Sequence, residues 1–404
     1  MVREGYKRTE VGMIPEDWEV VTVDDVANVL TGFPFPSSKY SNSGIKLLRG
    51  SNVKRNILDW SVQITKYWPE LTPDIQQYIL EDGDIVIAMD GSLVGKSFAQ
   101  ISSADLPLLL LQRVARLRTL NIDLGYLKEL ICCPIFTKHC DEVKTVTAIP
   151  HISPADIKGY KIPLPPTRTE QRAIATALSD ADAALAAQDA LIAKKEDFKR
   201  GMMEALLSGE LRLDGFNGAW EEVTLGDHLK MQVGAPFSSA YFNKKAIGLR
   251  LVKNRDLKSS DSITYYSGSF SEEFVVESGD ILVGMDGDFI LCWWAGGMAL
   301  LNQRIGRLRF IDSTIYPGYL YYSLKGKLKE IEHATAATTV KHLSHSDVEN
   351  VEITIPSLPE QRAIATVLSD LDAELAAVRA RRAKLARVKA GMMEALLTGA
   401  VRLV

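Results

Sequence analysis

The chain has 404 residues, with 47 lysines and arginines against 51 aspartates and glutamates and a formal net charge of −4. That balance excludes a protein that grips polyanions by bulk charge alone, although a local basic face survives in such a sum. Apolar residues make up 46% and charged residues 24%, as in globular domains.

Apolar runs such as Leu106 to Leu111 are far too short to cross a bilayer, and the N-terminus is charged instead of signal-like. Three of the four cysteines cluster at Cys132, Cys133 and Cys140, which offers no disulfide framework. No membrane and a cytoplasmic location are expected.

After an opening Arg3 to Thr9, Ile14-Pro15-Glu16-Asp17-Trp18-Glu19-Val20 leads into a short strand and an expected helix over Val23 to Leu30. The chain then repeats itself. At an offset of 202, Gly218 to Leu225 matches that opening, Gly226 to Val233 matches the expected helix, and Gly234-Ala235-Pro236-Phe237 matches Gly32-Phe33-Pro34-Phe35. Strand signals follow at Ile45 to Arg49 and Ile247 to Val252. Gly83-Asp84-Ile85-Val86-Ile87-Ala88-Met89-Asp90-Gly91 then matches Gly279 to Gly287, in each case a turn, an apolar strand and a turn.

Gln112-Arg113 to Leu117 corresponds to Gln303-Arg304 to Leu308, and Tyr126 and Tyr319 open matching helices. His151-Ile152-Ser153 corresponds to His342-Leu343-Ser344, and both halves close on short strands, Tyr160 to Leu164 and Val351 to Ile355. Residues 36–82 and 238–278 do not correspond. One framework carries two different surfaces, as expected of two recognition modules with distinct targets.

Each half ends in a long helix. Glu170 to Thr176 recurs letter for letter as Glu360 to Thr366, and Gly201 to Leu207 as Gly391 to Leu397. Thr169 or Ser357 offers a cap, and no proline interrupts either run before Gly209 or Gly399. Ile364, Leu368, Leu371, Leu375 and Val378 step by four and three, and Leu385, Met392 and Leu396 continue the register, interrupted at Arg382 and Lys389. Ile174, Leu178, Ala181, Leu185, Ile192, Met202 and Leu206 stand at the matching places. Such a heptad seam needs a partner. An intramolecular antiparallel pair covers both seams; a helix folded on its own domain, or a parallel homodimer, is the alternative.

The fold expected is α+β: two globular domains of short strands and helices, with an internal pseudo-two-fold repeat, separated by two long helices that form an antiparallel coiled coil. Domain boundaries are expected at 1–167, 168–210, 211–357 and 358–404.

Catalytic signals are weak. Gly91-Ser92-Leu93-Val94-Gly95-Lys96-Ser97 resembles a phosphate-binding loop, but only three residues separate its glycines and the other half has no Gly-Lys-Ser. Adjacent Cys132 and Cys133 are poor tetrahedral ligands beside His139 and Cys140, and His342 and His345 lack further ligands nearby, so no metal is expected. No nucleophile–base spacing appears, and the chain is expected to catalyse nothing. Nucleic-acid contact is the positive reading. Arg49, Ser51, Asn52, Lys54 and Arg55 follow one strand signal, and Lys253, Asn254, Arg255 and Lys258 follow its counterpart. Arginine and asparagine can pair with base edges through two hydrogen bonds, whereas lysine meets phosphates. Ser92 and Lys96 at the hairpin tip suit a phosphate backbone too.

The paired Glu-Gln-Arg-Ala-Ile motifs at 170–174 and 360–364, the two Gly-Asp-Ile turns, the Gly-Ser-x-x-Gly-Lys turn and the opening Lys7 to Trp18 together resemble the DNA specificity subunits of type I restriction-modification enzymes. This resemblance implies two target recognition domains, each reading one half of a bipartite, asymmetric double-stranded DNA sequence. It makes the helices a ruler for the unread base pairs between the halves. It also implies two modification (methyltransferase) subunits as partners, which carry S-adenosylmethionine and methylate adenine. Restriction/translocase subunits would add ATP- and Mg-dependent cleavage, with no cofactor in this chain. The second half departs from the pattern at Asp288-Phe289-Ile290, which replaces the Gly-Lys turn. The competing readings are a non-catalytic scaffold whose two modules bind proteins and an enzyme with a cleft between the halves.

Overall fold

A computed structural model describes residues 4–258, 263–334 and 341–403. The chain divides into two compact units, Met1–Asp189 with Ala380–Val404, and Ala190–Arg379. Each unit therefore builds its body from one half of the duplication and completes it with helix from the other.

In the first unit Ala27–Thr31, Val114–Thr119, Ile85–Ala88 and Phe98–Gln100 form a four-stranded antiparallel sheet in that order. The run Ile85-Val86-Ile87-Ala88 is apolar throughout because it has a core on each side. Ile85 and Ile87 pack with Trp18 and Tyr126, whereas Val86 and Ala88 pack with Leu48 and Leu108. Side chains alternate across a strand, so a doubly covered strand shows no polar alternation. The second unit repeats this with Leu229–Val233, Ile305–Phe310, Ile281–Gly284 and Leu291–Trp293.

A second sheet carries the divergence. In the first unit it has three strands, Tyr67–Trp68, Ile45–Leu48 and Leu108–Leu110; in the second it has five, around Leu249–Val252 and Ala299–Leu301. The two further strands, Phe242–Asn243 and Val275–Val276, stand where the first unit has single bridges, Ser41 to Tyr67 and Ile79 to Leu109. Where the two sheets meet, backbones nearly touch. A Cβ on Gly32 would lie 2.3 Å from the Leu111 carbonyl, and one on Gly234 would lie 2.2 Å from the Leu301 oxygen. Only glycine fits there.

The helix expected over Val23 to Leu30 is a correction. Only Val23–Val26 is helical, with Thr22 and Asp25 forming a capping box, and Ala27–Thr31 is the outer strand of the sheet. The second half does the same, with helix at Leu225–His228 and strand at Leu229–Val233. Backbone pairing with Val114–Thr119 and Ile305–Phe310 decides the matter. Strand preference answers to such neighbours more than to the local residues.

The long helices span Arg168–Ser208 and Leu358–Leu397. Thr167, not Thr169, caps the first, its Oγ1 accepting from the Glu170 N–H at 3.2 Å. In the first unit Asp182 pairs with Lys389 and Asp189 with Arg382. In the second unit Lys195 pairs with Glu374 and Lys199 with Asp372. As one number rises the other falls, so the helices run antiparallel in both units. Arg382 and Lys389, which interrupt the apolar seam, are thus the residues that fix its register.

The seam itself is buried at Ile174, Leu178, Leu206, Ile364, Leu368 and Leu375. Ile174 and Leu178 share a core with Met393, Leu396 and Leu397 in the first unit, and Leu206 shares one with Ile364 and Leu368 in the second. The start of each helix thus packs on the domain before it and on the end of the other helix.

Candidate nucleic-acid interface

The loop after Ile45–Leu48 is a short 3-10 turn, Gly50–Asn52, and the loop after Leu249–Val252 is its counterpart, Asn254–Leu257. Both are pinned alike. The Arg49 N–H donates to Asn52 Oδ1 at 3.1 Å, and the Lys253 N–H donates to Asp256 Oδ2 at 2.9 Å.

This corrects the expectation for Asn52. It is fully buried, and its Nδ2 donates to the Asp59 carbonyl at 2.9 Å, so it holds the loop and presents nothing to solvent. Asn254 aligns with Gly50 instead, and its Nδ2 donates to the Asp286 carbonyl at 2.6 Å.

The remaining candidates lie along the same edges. Arg49 is half-buried with Nη1 donating to the Ile64 carbonyl at 3.3 Å, Lys54 is half-buried, and Ser51 and Arg55 are exposed. Ser92 and Lys96 are exposed in the hairpin between Ile85–Ala88 and Phe98–Gln100. Lys253 lies with its ammonium 4.5 Å from the Phe242 ring centre, and burial and the neighbouring Arg255 push its pKa down. Arg255 is exposed and approaches Asp256 at 3.5 Å. Lys258 pairs with exposed Asp288, whose carboxyl that hydrogen bond holds below the ordinary range.

The two loops differ by an exchange of side chains. In the first unit Gly50 faces Ala88, at the end of the central strand; in the second Asn254 faces Gly284 at the same place. A Cβ on Gly284 would lie 2.2 Å from Asn254 Oδ1. Each unit fills the space once, from the strand in one case and from the loop in the other.

Beside the loops stands a cluster built from framework residues common to both units. Arg113 Nη1 donates to Asp90 Oδ2 at 3.1 Å, and Arg304 Nη1 donates to Asp286 Oδ2 at 2.5 Å. His342 Nδ1 lies 2.8 Å from Asp286 Oδ1, and His151 bridges Asp90 through the backbone. The two arginine side chains are 64% and 63% exposed. Arg113 also adopts φ 69°. A left-handed conformation costs a side-chain-bearing residue about 1–2 kcal/mol, and an exposed ion pair returns about 0–1 kcal/mol. Stability therefore does not account for an arginine there. The signal that points to it in the sequence is the repetition of Gln-Arg at 112–113 and 303–304. In the second unit Arg304 and Gln303 line a shallow cleft of about 380 Å³ with Asn302, Lys253, Phe237 and Phe242.

Two like frameworks, each with exposed basic side chains at the same edge on unlike loops, make up a duplicated two-module architecture. The family described as the type I restriction modification DNA specificity domain matches residues 15–194 and 217–387, and the chain belongs to that family. It is 31% identical over 200 residues to the specificity subunit of the type I restriction enzyme EcoBI of Escherichia coli, an alignment covering 50% of this chain and 42% of that protein. It is 26% identical over 430 residues to the putative MjaX specificity subunit of Methanocaldococcus jannaschii, covering 99% and 97%. The chain thus spans less than half of the first relative and nearly all of the second. A crystal structure of a type I restriction-modification S subunit from M. genitalium shares the fold, with TM-score 0.62, 16% identity and coverage of 94% and 96%.

Proposed function

We propose that this chain is the sequence-reading subunit of a type I restriction-modification complex, acting in the cytoplasm on double-stranded DNA. On this reading the domains 1–167 and 211–357 each recognise one half of a bipartite, asymmetric target. The helical segments 168–210 and 358–404 set the number of unread base pairs and receive two methyltransferase subunits, to which restriction/translocase subunits attach. S-adenosylmethionine, ATP and Mg belong to those partners.

The observation that carries the proposal is the side-chain exchange at one shared place. The loop turn begins Gly50-Ser51 in one unit and Asn254-Arg255 in the other, after strands that pair alike. Unlike side chains on a repeated frame are what two unlike half-sites require, because base edges are distinguished by donor and acceptor pattern. Arg49, Ser51, Lys54, Arg55, Ser92 and Lys96 supply contacts in the first unit, and Lys253, Arg255 and Lys258 in the second, where Asn254 acts by positioning Asp286.

The test is to assemble the chain with methyltransferase partners, treat random-sequence DNA and map the methylated adenines. A split, asymmetric consensus is expected. Methylation without sequence preference, or at one uninterrupted site, overturns the proposal.

A further inference from the structure

We propose that Arg113 and Arg304 are equivalent, sequence-independent contacts to the phosphodiester backbone of DNA; this rests on the DNA-reading role proposed above. Around these arginines the two units differ: Gly50 against Asn254, Ser51 against Arg255, Leu111 against Asn302. The dipeptides Gln112-Arg113 and Gln303-Arg304 do not differ. What two unlike DNA half-sites have in common is their phosphate chain, so a group repeated unchanged beside divergent loops matches that shared chemistry.

The geometry agrees. Each guanidinium is held through Nη1 by a carboxylate at the end of the central strand, while about two-thirds of the arginine side chain stays exposed. The carboxylates are recessed behind it, Asp90 at 24% and Asp286 at 15% exposure. A guanidinium oriented in this way offers a preformed fork to phosphate oxygens. The loops adjoin it directly: a Cβ on Gly50 would lie 3.2 Å from Asp90 Oδ1, and Asn254 donates to the Asp286 carbonyl. The alternative use of such a fork, a bidentate pair with guanine, would require both half-sites to carry guanine at the same position.

The experiment uses the full chain assembled with its methyltransferase partners. Fluorescence anisotropy measures affinity for a duplex bearing the mapped target and for duplexes with one half-site scrambled, from 50 to about 300 mM KCl. Arg113→Gln and Arg304→Gln are each expected to lower the slope of log affinity against log salt by about 0.9, and the double variant by about 1.8. Each should weaken binding roughly eightfold at 0.1 M salt, which is that slope carried over one decade of salt. The loss should be the same on target and scrambled duplexes, and Arg113→Lys and Arg304→Lys should retain the slope.

An unchanged slope, or a loss confined to duplexes with one intact half-site that lysine does not repair, overturns the assignment while leaving DNA reading intact. Wild-type complex that does not prefer the target duplex overturns the DNA-reading role itself, and this inference with it. Thermal unfolding of each variant shows that it is folded.

Discussion

Arg212 forks onto Glu360, its Nε 2.7 Å from Oε1 and its Nη2 2.9 Å from Oε2. Arg402 does the same to Glu170 and reaches Asp17 with its other edge, at 2.9 and 3.1 Å. Both arginines follow the end of one long helix and meet the duplicated glutamate at the start of the other. Each also lies over a tryptophan, Trp220 at 5.5 Å and Trp18 at 5.7 Å. The glutamate of the Glu-Gln-Arg motif is thus the socket of a latch, and both glutamates are 1% exposed. Arg212→Met should leave Glu360 buried without its partner, which costs about 3–5 kcal/mol. Urea unfolding followed by tryptophan fluorescence measures it. A loss no greater than that of Arg200→Ala, which breaks an exposed pair with Asp197, would show that the latch is decorative.

Acid should distinguish the two latches. The hydrogen bond from Arg402 holds the Asp17 carboxyl below its ordinary value of 3.8, more than its slight burial raises it. A depressed carboxylate stabilises the fold above its unfolded value, and that contribution is lost as the pH falls through the folded value. Asp17→Asn should therefore be less stable than wild type at neutral pH, and the two curves should converge once the pH falls below 3.8. Denaturant midpoints measured between pH 7 and about pH 2.5 follow this directly. A gap that widens toward acid would mean the carboxylate is not held low.

The duplication, the central strands and the helix pair were legible because each is written locally: identical strings, a run of four apolar residues, a heptad period. The short helix at Val23–Val26 misled because its next residues are claimed by a strand far away in the chain, Leu30 pairing with Arg116. Asn52 looked like a base reader because residue type says nothing of burial; its amide is enclosed by a turn and the Asp59 carbonyl. The latch arginines did have a signal, the repeat of Gly209-Glu210-Leu211-Arg212-Leu213 as Gly399-Ala400-Val401-Arg402-Leu403. Their partners lie 148 and 232 residues away, beyond any periodicity.

The exchange at the loop can be tested by reversing it. Gly284→Ala places a Cβ 2.2 Å from Asn254 Oδ1 and should cost about 1–3 kcal/mol, as overpacking does. Adding Asn254→Gly recreates the Gly50–Ala88 arrangement of the other unit and should recover most of that loss. Thermal melts of the single and double variants decide. Additive losses would mean that the two positions do not share one space.

Cys292 should be unreactive. Burial pushes its thiol up from 9.0 to about 11, so at pH 8 its thiolate is roughly a hundredfold scarcer than for an unperturbed cysteine. Iodoacetamide labelling read by peptide mass spectrometry should show it modified about a hundredfold more slowly in the native chain than in urea. Equal rates would place a reactive thiolate on this strand.

The antiparallel pair offers a way to alter the proposed DNA target without touching a reading loop. Deleting 183–189 from the first helix and 382–388 from the second removes one heptad from each. The deletion leaves Asp182 opposite Lys389 and Glu196 opposite Arg379, so the seam and its flanking ion pairs stay in register. Seven residues shorten each helix by about 10.5 Å, which is about three base-pair steps of duplex. If the helices set the interval between half-sites, methylation mapping with the shortened complex should return the same two half-sites with a spacer shorter by about three base pairs. A deletion of two residues from each helix would turn the seam by about 200°, onto the opposite face, and is expected to unfold the pair, so loss of activity there and retention with seven separates register from length. The original spacer from a folded heptad variant would mean that the interval is set elsewhere in the complex.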